Sequence, residues 1–438
     1  MRRADLSFAP QRSSECDEGA RKHLAKILKM TFAQPPRSIF AERSYALYYA
    51  GQSLSYVGYG LSALAIPLLV FKLTGSALNL GVAYALEFFP FALFGLVGGS
   101  LADRLDRRRL MIVCDFVRFA VFALFALLLW RHALTLPVIY SGIVVTSVAA
   151  AVFLGGQSTS IPYLVGTERS AKAVASLIAA EQTSNLISPP MAGFLFSLPG
   201  GPLIAVTVTA FTYLTSQVSL MLVPSMGPDK PGPLPSWREL RSDIAEGFRF
   251  MAADTAITAV AFSTLLLNFF GFMSVAVFIP FLKLSLGAGD SQVGLAYGVV
   301  ALGSIVGSLL GGATARRWPF GPALLIAFAI DGLIFVPVIF ATRLWSAVIF
   351  WMLASGGGAF ETTQIISWRM RIVPQEKIGR VFAAVRLVAL IGIVPGTLLG
   401  GWMGDLSGPR LPIIVSTIGY LIIALGAALV PQLRRDRR

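Results

Sequence analysis

Apolar runs of about twenty residues alternate with short charged segments along most of this chain of 438 residues. A helix needs about 20 apolar residues to cross the hydrocarbon core of a bilayer. The pattern therefore predicts twelve transmembrane helices. These predicted spans 1 to 12 run roughly over 45–71, 78–101, 110–130, 137–158, 173–197, 202–223, 256–284, 291–314, 322–341, 344–368, 378–403 and 410–431.

A longer polar segment separates spans 6 and 7. Its first part is rich in Pro and Gly, which indicates a linker. Its second part carries apolar residues at helical spacing with charges between them, which predicts an amphipathic helix on the membrane face or packed against the bundle. The apolar residues are Trp237, Leu240, Ile244, Phe248 and Met251. The predicted domains are an N-terminal tail, a six-helix bundle, this linker, a second six-helix bundle and a C-terminal tail, over 1–43, 44–223, 224–255, 256–431 and 432–438.

The basic residues of the loops indicate how the chain is oriented. The two tails and the segments after even-numbered spans carry 29 of the 36 Lys and Arg residues, and the segments after odd-numbered spans carry five. An excess of Lys and Arg marks the cytoplasmic side of a membrane protein. We therefore expect both termini in the cytoplasm. We also expect a multi-pass protein of the inner or plasma membrane, in contact with the lipid bilayer.

Composition agrees with a membrane protein and excludes several other classes. Hydrophobic residues make up 55% and charged residues 13%, whereas soluble proteins are about 25% charged, and the mean hydropathy is +0.73. The net charge of +14 is spread over loops rather than gathered in one patch, so nucleic-acid binding is not expected. Two Cys and two His residues are scattered, so we expect neither a metal site nor a cofactor. No His-Glu-x-x-His or Gly-x-Ser-x-Gly motif occurs, and an enzyme is not expected.

The two halves of the chain repeat each other. A shift of 213 residues places Gly81 on Gly294 and Tyr84 on Tyr297, and farther along a shift of 208 places Gly193 on Gly401. Six spans are thus repeated in the same orientation. Parallel halves of this kind are a transporter architecture in which the substrate site lies between the halves near the membrane midplane. The predicted fold is all-α, with twelve transmembrane helices in two six-helix pseudo-repeats.

The loop after span 2 resembles the signature of the major facilitator superfamily, and the resemblance extends over 40–431. The matching stretch is Gly99-Ser-Leu-Ala-Asp103-Arg104 followed by a basic run, in which Asp106 replaces the usual Gly. With Asp115 in span 3, this variant resembles the drug-efflux branch that contains macrolide exporters and enterobactin-type siderophore exporters. The sequence NLISPPMAG in span 5 resembles a degraded antiporter signature, in which Pro189 and Gly193 match while Ser188 and Ala192 depart.

The resemblance implies roles for the charged loop. Asp103 should dock on the positive N-terminal end of span 11 near Arg380 and hold the cytoplasmic side closed, and Arg107 should pair with Asp115. The cytoplasmic gate motif comprises Gly99, Asp103, Arg104, Arg107, Arg108, Asp115 and Arg118. The family also implies a monomer.

Ionisable and polar residues inside spans are the candidates for transport chemistry, because a charge in hydrocarbon is costly and marks a functional site by default. The candidates for proton coupling or for lining the substrate cavity are Glu87, Glu181, Gln182, Asn185, Glu361, Gln364 and Arg386. Each acid has a structural alternative, as a protonated carboxyl or a hydrogen-bonding group between helices. Glu361 and Gln364 are three apart and should share a helix face. Arg386 is a potential partner for one of the acids, and Asp331 is expected to brace the interface between the halves.

Small residues recur every fourth position in two spans. Gly392, Gly396, Gly400 and Gly404 do so in span 11, and Gly303, Gly307 and Gly311 in span 8. This spacing lets helices approach closely. Taken together, the sequence predicts a transporter that exports amphipathic small molecules by alternating access in exchange for protons. An importer, or a lipid or metabolite carrier of the same fold, is the alternative.

Overall fold

The computed structural model describes residues 38–429 except for 103, 227–236 and 316. This part of the chain contains thirteen α-helices and no strand. In chain order they are α1 (Arg43–Thr74), α2 (Ala77–Ala102), α3 (Arg107–Trp130), α4 (Leu136–Val165), α5 (Ser170–Ser197), α6 (Gly201–Met221), α7 (Trp237–Ala253), α8 (Thr255–Pro280), α9 (Asp290–Thr314), α10 (Phe320–Ile339), α11 (Leu344–Ile372), α12 (Ile378–Ser407) and α13 (Arg410–Ala428).

Every predicted span overlaps one of these helices, and α7 is the extra helix of the linker. Nine helices in the described part are long and apolar enough to cross a membrane, namely α1, α3, α4, α6, α8, α9, α10, α12 and α13. The apolar part of α2, Ala77–Phe91, is shorter. The protein is therefore a multi-pass membrane protein with an all-helical fold, and the full count of twelve spans stays a prediction.

Helices within each half pack closely on one another. In the first half α1 packs on α5 and α6, α2 packs on α4, and α3 packs on α4 and α6. In the second half α8 packs on α12 and α13, α9 packs on α11, and α10 packs on α11 and α13. Across the halves, α2 packs on α12 and α5 packs on α9. These four helices therefore form most of the contact between the halves.

The glycine stripes mark the closest helix pairs, as predicted. Gly392, Gly396 and Gly400 of α12 lie directly on backbone carbonyl groups of α8, so that any Cβ atom there would overlap α8. Gly303 and Gly307 of α9 lie in the same way on backbone carbonyl groups of α11. Both stripes thus join helices within the second half.

The amphipathic helix α7 packs against the bundle. Gly247 lies on the backbone of Arg380 in α12, and Glu246 forms an ion pair with Arg380 at 2.6 Å. Phe248 packs on the apolar cluster that contains the buried Met251. The predicted apolar face is confirmed for these two residues, whereas the side chains of Trp237, Leu240 and Ile244 lie outside the described part.

The closest contacts between the halves lie at one end of the bundle, which we call the closed end. It carries the turns 75–76, 198–200, 286–289 and 408–409. A Cβ atom on Gly193 of α5 would lie 2.6 Å from the carbonyl oxygen of Asp290 in α9, and one on Gly401 of α12 would lie 2.5 Å from that of Ala77 in α2. The two contacts are equivalent under the predicted repeat, because the shifts of 208 and 213 residues exchange Gly193 with Gly401 and Ala77 with Asp290.

Two polar contacts join the halves near this end. The carboxylate of Asp405 in α12 accepts hydrogen bonds from the backbone N–H groups of Ala77 at 2.6 Å and Leu78 at 3.2 Å, and from the Ser76 hydroxyl at 2.5 Å. It therefore caps the N-terminus of α2 from the other half. The hydroxyl groups of the repeat mates Tyr84 and Tyr297 lie 3.4 Å apart.

Candidate functional site

Glu87 lines a small cavity inside the first half. The cavity lies among α1, α2, α3, α4 and α6, and its polar lining includes Tyr59, Tyr84, Arg118 and Tyr213. The Tyr59 side chain lines the cavity beside the Glu87 carboxyl group, and the Ser147 hydroxyl donates to the Glu87 carbonyl oxygen. The cavity has about 80 Å³ available to the centres of water molecules, and one water needs about 10–15 Å³ of such space. It can hold a few waters or a proton relay, but not a large substrate.

Arg118 connects this cavity to a buried ion pair. Its Nη1 lies 3.4 Å from Oδ1 of Asp115, one helix turn earlier, and the Ser216 hydroxyl donates to Oδ2 of Asp115 at 2.7 Å. The guanidinium also lies over the rings of Phe153 and Tyr213, at 4.5 and 5.3 Å from their centroids. The predicted pairing of Asp115 with Arg107 is wrong, since Asp115 is already paired with the arginine that shares its helix face.

The basic residues of the gate motif anchor the loop to neighbouring helix ends. Arg107 donates from Nε to the Thr159 hydroxyl at 2.7 Å and from Nη1 to the Met226 carbonyl oxygen at 3.3 Å. Arg108 donates from Nε to the Leu220 carbonyl oxygen at 2.9 Å. The backbone N–H of Arg104 closes the turn on Leu101 at 3.2 Å. Asp103 and the surroundings of Gly99 lie outside the described part, so the docking of Asp103 stays a prediction.

Asp106, the residue that departs from the family signature, has a structural role of its own. Its Oδ1 accepts hydrogen bonds from the backbone N–H groups of Arg108 at 3.0 Å and Met226 at 3.2 Å. Its Oδ2 accepts from the Ser225 hydroxyl at 2.9 Å. Its side chain thereby caps α3 and holds the start of the linker. A Gly there has no side chain to accept these hydrogen bonds.

The predicted polar face of α5 is separate from the Glu87 cavity. Glu181 and Gln182 are exposed and Asn185 is half-buried. None of the three lines the cavity around Glu87. The antiporter-like residues lie farther along α5, where the carbonyl group of Pro189 and the Cα of Gly193 meet Gly294 of α9. These two residues belong to the contact between the halves.

The second half contains a buried pair of carboxyl groups that the sequence did not predict. Glu361 in α11 and Asp331 in α10 lie within hydrogen-bonding reach of each other and are only 3% and 4% exposed. A hydrogen bond between two carboxyl groups requires that one of them carries a proton. Asp331 reaches α11 because it lies against Gly357, where a Cβ atom would occupy the same space. The expectation that Asp331 braces the contact between the halves is wrong, since the pair lies within the second half.

The carboxyl pair borders a cavity of about 370 Å³ lined also by Thr264, Asn268 and Tyr420. Gln364, by contrast, does not line this cavity. Its Nε2 donates to the Thr314 hydroxyl at 2.8 Å and more weakly to the Gly311 carbonyl oxygen at 3.4 Å. Gln364 therefore holds α11 to α9, and the two residues predicted to share a face have different surroundings.

Arg386 lines another cavity of the second half, of about 530 Å³, among α8, α11 and α12. Its guanidinium lies 4.9 Å from the centroid of the Phe91 ring in α2. Among the described residues, no ion pair joins Arg386 to Glu87, Glu181 or Glu361. Arg369, which the sequence reasoning did not single out, lines the same cavity and is 6% exposed.

A bundle of long apolar helices whose buried charges line several cavities is typical of a membrane transporter. The sequence model of the Major Facilitator Superfamily matches residues 48–341 and again 261–438. The chain therefore belongs to this family, and the resemblance seen in the charged loop is confirmed.

Two curated relatives are enterobactin exporters. The chain is 25% identical over 413 residues to the enterobactin exporter EntS of Escherichia coli O1:K1 / APEC, covering 90% of this chain and 94% of the relative. It is also 25% identical over 408 residues to EntS of Citrobacter koseri, with the same coverage.

Solved structures support the fold. A bacterial homolog of the human lysosomal transporter Spinster, in an inward-facing and unoccupied conformation, has a TM-score of 0.70 at 16% identity and covers 92% of this chain and 99% of that one. A bacterial homologue of the iron transporter ferroportin, in an inward-facing state, has a TM-score of 0.70 at 14% identity, with coverage of 88% and 98%. At these identities the likeness concerns the fold alone.

Proposed function

We propose that this protein exports amphipathic small molecules, of a siderophore-like, macrolide-like or drug-like kind, by alternating access in exchange for protons. The observation that carries the proposal is the similarity to enterobactin exporters over nine-tenths of the chain. The family membership supports a secondary transporter of small molecules.

The proposed architecture is two six-helix halves, 44–223 and 256–431, joined by the linker that contains α7. The equivalent contacts of Gly193 and Gly401 support this arrangement. The distribution of Lys and Arg favours termini in the cytoplasm and a closed end on the outer face. In this orientation substrate enters from the cytoplasm, and opening of the closed end releases it outside.

We assign proton coupling to Glu87 in the first place. Its cavity has room for water but not for a large substrate, and its polar neighbours Tyr59 and Tyr84 can pass a proton. Arg118 lines the same cavity, so a change of charge on Glu87 acts directly on the ion pair with Asp115. Glu181 is the second candidate, because its exposed position on α5 gives it access to water.

Transport into inverted membrane vesicles with an imposed pH gradient tests the proposal. The panel should contain a catecholate siderophore, a macrolide and a cationic dye. We expect proton-driven uptake into the vesicles by the wild type, and loss of that uptake in Glu87→Gln with downhill exchange retained, because the amide keeps the shape of the side chain but cannot release a proton.

Glu168→Gln is the matched control, since Glu168 is an exposed acid of the same half, and it should transport as the wild type does. Unchanged proton-driven uptake in Glu87→Gln removes the coupling role from Glu87 and moves it to Glu181, which Glu181→Gln then tests. Uptake by cells instead of efflux supports the importer, and transport of lipid alone supports the lipid carrier.

A further inference from the structure

Two arginines face one cavity at the end of the second half that lies away from the closed end. The cavity has a volume of about 530 Å³ and is bounded by α8, α11 and α12. Arg369 lies one turn before the end of α11 and is nine-tenths buried, while Arg386 of α12 is half-buried. Both guanidinium groups therefore lie in a restricted space rather than in open water.

The described lining of this cavity contains no carboxylate. The acids nearby are engaged elsewhere. Glu246 pairs with Arg380 at 2.6 Å, and Asp331 and Glu361 lie within reach of each other in the adjoining cavity. Two positive charges thus share one cavity without a negative charge from the described residues.

Aromatic rings position the guanidinium groups without neutralising them. Arg369 lies 5.8 Å from the centroid of the Phe382 ring and Arg386 lies 4.9 Å from that of Phe91. A guanidinium stays charged in any protein environment. Because a partly buried charge without a partner is unfavourable, an anion is the ligand that this cavity favours.

We propose that Arg369 and Arg386 form a binding site for the anionic group of an amphipathic substrate, such as a carboxylate, a sulfonate or an ionised catechol. Guanidinium groups bind such planar or multidentate oxyanions through paired hydrogen bonds. The apolar part of the substrate packs on the remaining walls, which include Ile365, Ile366 and Phe382. The site specifies amphipathic anions as a substrate class for the export proposed above, and in this respect the inference rests on that proposal.

The position of Arg386 gives the site a connection to both halves. Its aromatic neighbour Phe91 belongs to α2 of the first half, and α2 and α12 pack on each other across the halves. An anion bound by Arg386 therefore sits at a contact that changes when the halves move. Anion binding therefore favours the arrangement of the two halves in which the Arg386 guanidinium is accessible from the cavity.

A binding experiment on the purified full-length protein in detergent tests the site independently of transport. The probes are carboxyfluorescein and the methyl ester of tetramethylrhodamine, which share a xanthene core but carry opposite charges, and the readout is fluorescence anisotropy. We expect Arg369→Gln and Arg386→Gln each to weaken carboxyfluorescein binding by about tenfold or more, as for the loss of one charge-assisted hydrogen bond. Binding of the cationic dye should not weaken.

Arg371→Gln is the matched control, because Arg371 is an exposed arginine on the same helix that does not line the cavity. It should bind both probes as the wild type does. Arg386→Lys keeps the charge but loses the paired donors, so its loss of affinity should be smaller than that of Arg386→Gln. Thermal unfolding followed by tryptophan fluorescence shows whether each variant is folded.

Three results overturn the site: no binding of carboxyfluorescein to the wild type, equal losses in Arg371→Gln and Arg386→Gln, or equal losses for both probes in a folded variant. Transport in inverted vesicles distinguishes failure of the anion site from failure of the export proposal. Arginine-dependent anion binding without accumulation in vesicles refutes export and leaves the site standing. Accumulation that does not depend on either arginine refutes the site and leaves export standing.

Discussion

Removal of the Asp405 carboxylate should weaken the closed end. This side chain belongs to α12, yet it caps the N-terminus of α2 in the other half through the N–H groups of Ala77 and Leu78 and the Ser76 hydroxyl. When the closed end opens, α2 and α12 separate there and the cap is lost. Asp405 therefore stabilises the arrangement in which this end is closed.

The size of the effect follows from what each substitution removes. Asp405→Asn removes the charge and keeps an acceptor, so it loses the interaction with the helix dipole, about 0.3–1 kcal/mol, or roughly two- to fivefold in the ratio of open to closed molecules. Asp405→Ala also removes the cap, which costs about 1 kcal/mol more. The total for Asp405→Ala is about 1.3–2 kcal/mol, which corresponds to a shift of roughly 10- to 30-fold.

Distances between spin labels at the closed end measure this ratio. Labels on cysteines at Leu73 and Leu284 report from the two halves, since both side chains are exposed near this end. The population with the longer distance should rise in the order wild type, Asp405→Asn, Asp405→Ala. Ser197 occupies the position equivalent to Asp405 in the repeat and donates only to Phe194 of its own helix, so Ser197→Ala should have no effect. Equal shifts in Ser197→Ala and Asp405→Ala, or none in either, would refute the reasoning.

Three further substitutions test other contacts. Gly193→Val places a side chain where a Cβ atom already lies 2.6 Å from the Asp290 carbonyl oxygen, so the same spin labels should show loss of the closed population. Asp106→Gly, which restores the usual residue of the family, costs only a few tenths of a kcal/mol as a change of cap. It also removes the hydrogen bonds to Ser225 and Met226, so it should lower the stability in thermal unfolding by about 1–2 kcal/mol; unchanged unfolding would contradict the assigned role. Glu361→Ala leaves the buried Asp331 carboxyl without its partner and should cost about 1–3 kcal/mol, whereas Glu361→Gln, which can still donate a hydrogen bond, should cost less; equal losses would contradict the pairing.

The helical architecture could be predicted from the chain because apolar length and glycine spacing are local signals. The predicted helix ends were less accurate where polar residues form hydrogen bonds inside the bundle. Span 4 was predicted to end at 158, but α4 continues to Val165. The polar residues in this last part are satisfied internally, as when the Thr159 hydroxyl donates to the Gly155 carbonyl oxygen at 3.1 Å and accepts from Nε of Arg107 at 2.7 Å. A hydropathy pattern treats such residues as the end of a span.

Pairings between side chains were harder to predict than helices. The partner of Asp115 had a usable signal, because Arg118 lies three residues along the same helix, whereas the family pattern favoured Arg107. The pairing of Asp331 with Glu361 depends on how α10 and α11 are rotated about their axes. Local sequence does not define that rotation. Gly357, one turn before Glu361, was the only local sign that another helix approaches this face.

The contact between Tyr84 and Tyr297 has a consequence for the symmetry of the molecule. The two residues are repeat mates, and their hydroxyl groups meet each other. A hydrogen bond between two identical groups holds one proton, so one tyrosine must donate and the other must accept. Tyr84 also borders the cavity of Glu87. When Tyr297 donates, the proton of Tyr84 is free to turn toward that cavity, and when Tyr84 donates it is not. The position of a single hydrogen atom thus makes two matching tyrosines unequal.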